Sequence, residues 1–141
     1  MEINLATNSD VDQILSLQTQ IYRLDKTAGD AKEHLIKQLK GDSCDVLVAR
    51  ENGNTVATVT IYYIEVAARA RPYAFLEGLV VDKNARGKGI GTALFEKCIE
   101  LARQKNCYKM IFTSGADRTD AHNFYEKLGF KKWGMEFRKD L

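Results

Sequence analysis

Apolar and polar positions along the chain alternate with a period of two, then of about 3.6, and the switches mark out its elements. Glu2 to Ala6 alternates as a short first strand. Thr7-Asn-Ser-Asp10 follows with side chains suited to capping. Val11, Ile14, Leu15, Leu17 and Ile21 recur at helical spacing and predict a helix that ends near Asp25 to Thr27. Gly29-Asp30 breaks the chain, and Ala31 to Leu39 predicts a shorter helix with Leu35, Ile36 and Leu39 apolar. Cys44 to Arg50 and the long segment Thr55 to Val66 read as strands. Between them, Glu51-Asn-Gly-Asn54 carries Asn-Gly at its centre, the signature of a tight hairpin.

After a short connection, Ala67 to Pro72, comes the stretch on which the rest depends. Ala74-Phe-Leu-Glu-Gly-Leu-Val-Val-Asp82 is a β-type apolar run in which Phe75, Leu79, Val80 and Val81 stand out. Lys83-Asn-Ala-Arg-Gly-Lys-Gly-Ile-Gly-Thr92 is a glycine-rich turn leading into a helix. That helix carries Ile90, Ala93, Leu94, Cys98 and Leu101 at helical spacing, and Asn106 is suited to a left-handed stop. Lys109 to Thr113 is a further strand and Ser114 to Asp117 a loop, with Asp117 or Thr119 placed to cap the next helix. Ala121, Phe124, Tyr125 and Leu128 share one face of that helix, and Gly129 ends it. Phe130 to Phe137 is the predicted last strand. Strands separated by helices predict an α/β (α+β) mixed sheet with helices on both faces. No linker or repeat divides residues 1–141, so a single domain is expected.

The glycine turn carries the first candidate chemistry. A helix N-terminus has free backbone N–H groups and a partial positive charge. With no side chains at Gly87, Gly89 and Gly91, phosphate oxygens can come within hydrogen-bonding distance of that backbone. Arg86, Lys88 and the Thr92 hydroxyl can add to the grip. The reading is a site for an anionic, diphosphate-sized group, with a flexible turn that binds nothing as the alternative. Two other phosphate motifs fit less well. A dinucleotide fold carries G-x-G-x-x-G where this turn has G-x-G-x-G, and a Walker loop ends in Gly-Lys-Ser/Thr where Gly89 is followed by Ile90.

Arg86-x-x-Gly89-x-Gly91 after a Leu-Val-Val strand resembles the acyl-coenzyme A motif of the GCN5-related N-acetyltransferases (GNAT). Ala121-His-Asn-Phe-Tyr-Glu-Lys-Leu-Gly-Phe130 resembles that family's second motif, in the same order. The resemblance implies a single GNAT-like domain with a mostly antiparallel central sheet. It implies an acetyl-CoA-dependent N-acetyltransferase that uses direct attack in a ternary complex and no metal. Cofactor contacts would come from Leu79, Val80, Val81, Arg86, Gly87, Lys88, Gly89, Ile90, Gly91, Thr92 and Asn123. The oxyanion donor would be a backbone N–H near Val81, where the central and following strands of the family splay apart.

Acyl transfer to an amine needs a proton acceptor, an oxyanion donor, a proton for the leaving thiolate and in-line approach. Glu77 is the candidate base. Strict alternation places it on one face with Phe75, Leu79 and Val81, and a carboxylate among apolar neighbours suits proton abstraction near neutral pH. A structural carboxylate paired with Lys or Arg is the competing reading. Tyr125 is the candidate acid, since the resemblance runs its helix beside the cofactor thiol and a phenol is protonated at neutral pH. Spacing alone would make it a core tyrosine.

Composition narrows the partners. A formal charge of +2 gives no basis for nucleic-acid or membrane binding. No apolar run approaches the roughly 20 residues of a membrane span, and Met1 to Leu5 does not start a secretory signal. Cys44, Cys98 and Cys107 are scattered, as reduced thiols of a cytoplasmic protein would be, and His34 and His122 alone give no metal spacing. The expected partner is a small-molecule amine, with no nucleic acid and no membrane; a homodimer is compatible. Arg69 and Arg71 could meet an acidic acceptor or sit in a solvated loop, and Tyr62 or Tyr63 could line the acceptor pocket or simply pack. Arg118 to Tyr125 and Phe137 to Leu141 are similar to the aminoalkylphosphonate-type N-acetyltransferases. That subgroup is histidine-rich before the central strand, where this chain has Tyr62-Tyr-Ile-Glu-Val66. Amino sugar phosphates, polyamines, amino acid derivatives and protein amines therefore stay open as acceptors, and so does a sensor that binds acyl-CoA without turnover.

Overall fold

The computed structural model describes all 141 residues, in two compact units, Met1–Ile111 and Phe112–Leu141. The first unit contains β1 (Glu2–Leu5), α1 (Val11–Tyr22), α2 (Ala31–Lys40), β2 (Cys44–Glu51), β3 (Asn54–Val66), β4 (Arg71–Val81), α3 (Ile90–Gln104) and β5 (Met110–Ile111). The strands form one sheet in the order β1-β2-β3-β4-β5. The first four pair antiparallel and β5 joins β4 in parallel, so the sheet is mixed and mostly antiparallel, as expected. Asn52 and Gly53 both have positive φ, +51° and +79°, which is what a two-residue turn matched to the strand twist requires.

Register fixes the two faces of the sheet. Cys44, Val46 and Val48 lie opposite Tyr62, Thr60 and Thr58, and these lie opposite Phe75, Glu77 and Val80. Val46 and Val48 pack with Val11 and Ile14 of α1 and Leu35 of α2, so those two helices cover this face. Leu47 and Ala49 point the other way along β2 and are equally buried. There α3 covers the sheet with Ile90, Leu94, Phe95, Cys98 and Ala102. Lys105, just past α3, lies 5.4 Å from the centre of the Tyr63 ring on that face. The helices thus stand on both faces.

Thr7 and Asp10 form a capping box around the short 3₁₀ turn before α1. Asp10 also reaches into the core. It is 3% exposed and accepts hydrogen bonds from the Thr7 amide, Arg50 Nε and Thr55 Oγ1 at 2.8, 3.0 and 2.8 Å. Gln13 Oε1 accepts from the Thr55 amide at 2.8 Å. These bonds lock the start of α1 to the β2–β3 hairpin.

The second unit holds α4 (Thr119–Lys127), which ends at Leu128 before Gly129 at φ +94°. Phe112 packs edge-on against Tyr125 and Phe130, with ring centres 4.7 and 4.9 Å apart. Four expectations need correction. The first helix, expected to end near Asp25 to Thr27, stops at Tyr22, because Arg23 turns left-handed at φ +55°. The strand expected over Lys109 to Thr113 is only Met110–Ile111. Neither Asp117 nor Thr119 caps α4: its N-cap is Arg118, without a side-chain cap. Phe130 to Phe137 forms no strand. Trp133, Met135 and Phe137 alternate as a strand would, yet are 91%, 85% and 95% exposed. Alternation decides which side chains share a face, but a strand exists only where another supplies its hydrogen bonds.

Candidate functional site

The glycine turn is built as a cradle. β4 ends at Val81, Gly87 and Gly89 take φ of +80° and +79°, and α3 starts at Ile90 with Gly89 as its N-cap. The first helical bond runs from the Ala93 amide to the Gly89 carbonyl at 3.1 Å. The amides of Ile90, Gly91 and Thr92 therefore belong to the N-terminal turn, where no helical carbonyl can reach them. A Cβ built at Gly87 or Gly89 would meet no atom within 4 Å, so the approach to this backbone is open, as a diphosphate group requires. The cationic side chains are partly engaged. Arg86 donates from Nε to the Val81 carbonyl at 3.1 Å, tying the turn to the strand end. Lys88 Nζ lies 3.5 Å from a Glu51 carboxylate oxygen. The Ile90 side chain is 1% exposed and anchors the helix in the core, so Ile90 can offer a ligand only its backbone. Gln20 fixes the base of the turn: its Nε2 donates to Asp82 at 3.0 Å and its Oε1 accepts from the Lys83 amide at 3.3 Å.

β4 is irregular where the site residues lie. Thr58 opposes Val80 and Thr60 opposes Glu77, so Gly78 and Leu79 together face Val59 alone. This is a β-bulge, with Gly78 at φ +67°. It corrects the expected face of Glu77. Phe75 shares that face, but after the extra residue the face continues through Val80, not through Leu79 and Val81. Nor is Glu77 enclosed by apolar groups. It is exposed, and the Tyr22 hydroxyl donates to its carboxylate at 2.9 Å. On the other edge, β5 pairs with β4 only at Ala74 and Phe75. From Leu76 to Val81 no strand pairs with β4 on that side. Leu79 and Val81 are half-buried along this edge and Val80 is buried.

Tyr62 lies on the same face as Glu77, and Gln38 of α2 donates to its hydroxyl at 2.7 Å. Tyr63 lies on the opposite face and donates to Asp45 at 2.7 Å; it packs away from Glu77. Arg69 and Arg71 sit 4.3 and 5.7 Å from the centre of the Tyr108 ring, at the far end of β4 from the turn. In the second unit, Tyr125 is half-buried against Phe112 and Phe124, and Asn123 is exposed on α4. Tyr22 and Gln38 are additions that the sequence did not single out. Tyr22 is 55 residues from Glu77, and no local spacing links them. The bulge did leave a trace, since a glycine inside a strand pattern marks such a site.

The family model described as the acetyltransferase (GNAT) family matches residues 11–130. Glucosamine 6-phosphate N-acetyltransferase of Trypanosoma brucei brucei is 28% identical over 144 residues, covering 100% of this chain and 96% of that protein. The aminoalkylphosphonate N-acetyltransferase of Salmonella typhimurium is 25% identical, covering 99% of this chain and 91% of its own length. The solved structure of a candidate acetyltransferase from Agrobacterium tumefaciens superposes with a TM-score of 0.91 at 30% identity, covering 100% of both chains. With the glycine turn, the bulged β4 and the Asn123 to Tyr125 segment all within the matched span, this chain belongs to the GNAT family and is an N-acetyltransferase.

Proposed function

We propose that this enzyme moves the acetyl group of acetyl-CoA to a primary amine of a small molecule by direct attack in a ternary complex, with residues 1–141 acting as one domain in the cytoplasm. The observation that carries the cosubstrate reading is the open backbone cradle at Gly87 and Gly89 beside the unpaired edge of β4. In this reading the amides after Gly89 hold the diphosphate, and the edge from Leu79 to Val81 holds the pantetheine arm, with Asn123 assisting. Acetyl-CoA supplies the acyl group as an activated thioester. Glu77 accepts a proton from the amine, directly or through water. A backbone N–H of β4 near Val81 donates to the carbonyl oxygen as it gains charge. Tyr125 gives the departing sulfur a proton, the role implied by the resemblance. The acceptor is read as a small amine because the two named relatives, by their names, acetylate glucosamine 6-phosphate and aminoalkylphosphonates.

A panel of amines assayed by thiol release tests this. At least one small primary amine should release thiol from acetyl-CoA. Binding without release for every amine would leave a sensor, and release only with peptides would move the acceptor to protein. Coenzyme A should also raise the melting temperature, because a ligand of the native state stabilises it. Gly89→Val should remove most of that shift. The valine carries a strain of roughly 1–2 kcal/mol at positive φ, so the variant's own melting temperature must be recorded. A full coenzyme A shift in folded Gly89→Val would exclude the turn as the site.

Tyr125→Phe separates catalysis from packing. The ring keeps its place against Phe112, so stability should hardly change. Turnover should fall by about ten- to a few-hundredfold, the low end for acid catalysis, because a thiolate is a tolerable leaving group. A core-only tyrosine would leave turnover native in this variant, while Tyr125→Ala would cost about 3–5 kcal/mol of stability.

A further inference from the structure

We infer that Tyr22, at the end of α1, is a positioning residue for Glu77: its phenol fixes one carboxylate oxygen above the β4 bulge and leaves the other to take the proton of the acceptor amine. The inference rests on Glu77 as the base and adds a residue from a different part of the chain. Three observations support it. The Tyr22 hydroxyl donates to Glu77 Oε1 at 2.9 Å. The Tyr22 hydroxyl oxygen would lie 2.9 Å from a Cβ built at Gly78, so the phenol stands directly over the bulge. Glu77, the carboxylate, and Gly78, the first residue of the bulge, are neighbours in β4, so one side chain spans both.

The phenol is well suited to this. Burial, and then the bond to and charge of Glu77, push its titration far above the ordinary tyrosine range, so it remains a donor at every working pH. Taken over the whole residue Tyr22 is 45% exposed, so it is not a core packing residue. Its backbone is held from both sides. Arg23 follows in left-handed conformation as the C-cap of α1, and the Leu24 amide bonds to the Thr19 carbonyl at 3.0 Å. On the same face, Gln38 of α2 holds the Tyr62 hydroxyl. The two helices therefore supply or orient polar groups on this face: α1 brings the Tyr22 phenol to Glu77, and α2 holds the Tyr62 hydroxyl of β3. A carboxylate on an exposed strand position otherwise samples several rotamers. Fixing one oxygen removes that freedom before the amine arrives.

Kinetics of Tyr22→Phe, alone and combined with Glu77→Gln, test the inference. The ring is kept, so the melting temperature and the coenzyme A shift should be unchanged. We expect kcat to fall about tenfold, the size of one lost hydrogen bond to a charged group, with the acceptor KM within about twofold. A residue that acts through Glu77 has nothing left to position once the carboxylate is gone, so Tyr22→Phe should add no further loss in the Glu77→Gln background. Native kcat in Tyr22→Phe, a rise in acceptor KM at unchanged kcat, or the same tenfold loss in both backgrounds would each overturn the inference. Failure of the base assignment is recognised separately: Glu77→Gln alone would then keep native kcat, and the positioning role would fall with it.

Discussion

Glu77→Gln is expected to lower kcat by about 10²- to 10⁴-fold, the range for a lost general acid–base group. The amide keeps the shape of the side chain and can still meet the Tyr22 hydroxyl, so the end of α1 should stay in place. It cannot take a proton. Coenzyme affinity should barely move, because the glycine cradle begins beyond the end of β4 and Glu77 contributes nothing to it. Part of the loss should return at high pH, where more of the amine arrives already deprotonated. Steady-state kinetics across pH, with the coenzyme A thermal shift as the binding control, measure all three. A wild-type rate at neutral pH would assign the proton to bulk water or another residue.

Asp10→Ala should be the most destabilising exchange of a single polar side chain, at about 3–5 kcal/mol. That is the range for removing one partner of a buried ion pair and leaving the other uncompensated. Arg50 loses both of its bonds to the carboxylate, and the Thr7 amide and Thr55 hydroxyl lose their acceptor. Urea unfolding at neutral pH gives the magnitude, and a loss under 1 kcal/mol would show the cluster to be incidental. The same carboxylate sets part of the acid stability. Burial by itself would raise its pKa, but the bonds from Arg50, the Thr7 amide and Thr55, with the Arg50 charge, lower it to about 2 from an ordinary 3.8. The group is depressed in the folded state, so its stabilisation is fully present above about pH 4 and is lost as pH falls toward 2. The shift corresponds to about 2 kcal/mol at neutral pH. Stability of the native protein should drop over that interval, and Asp10→Asn should drop less steeply there.

Sequence alone determined much of the framework. The helical spacing of Val11, Ile14 and Leu17 located α1, and the Asn-Gly pair located the hairpin between β2 and β3. The glycines after Val81 located the start of α3, and Asn106 takes the left-handed conformation expected of it, at φ +59°. These features are local, since each depends on a dihedral preference or on a period within one element. The glycine cradle was legible for the same reason: strand, turn and helix are continuous in the chain.

Tertiary structure decided what depends on partners distant in sequence. The run from Ala74 to Val81 gave no register, so the bulge that gives Glu77 Val80 as its face neighbour, in place of Leu79 and Val81, appeared only when β3 was laid beside β4. Asp10 read as a capping residue, but Arg50 and Thr55, which make it a buried anchor, lie 40 and 45 residues away. Tyr22 fell inside an expected amphipathic helix and carried no signal of its own, and its bond to Glu77 exists because α1 lies across that face of the sheet. The segment from Phe130 to Phe137 fails as a strand for the converse reason: its alternation is intact, but an alternating pattern does not supply a hydrogen-bonding neighbour.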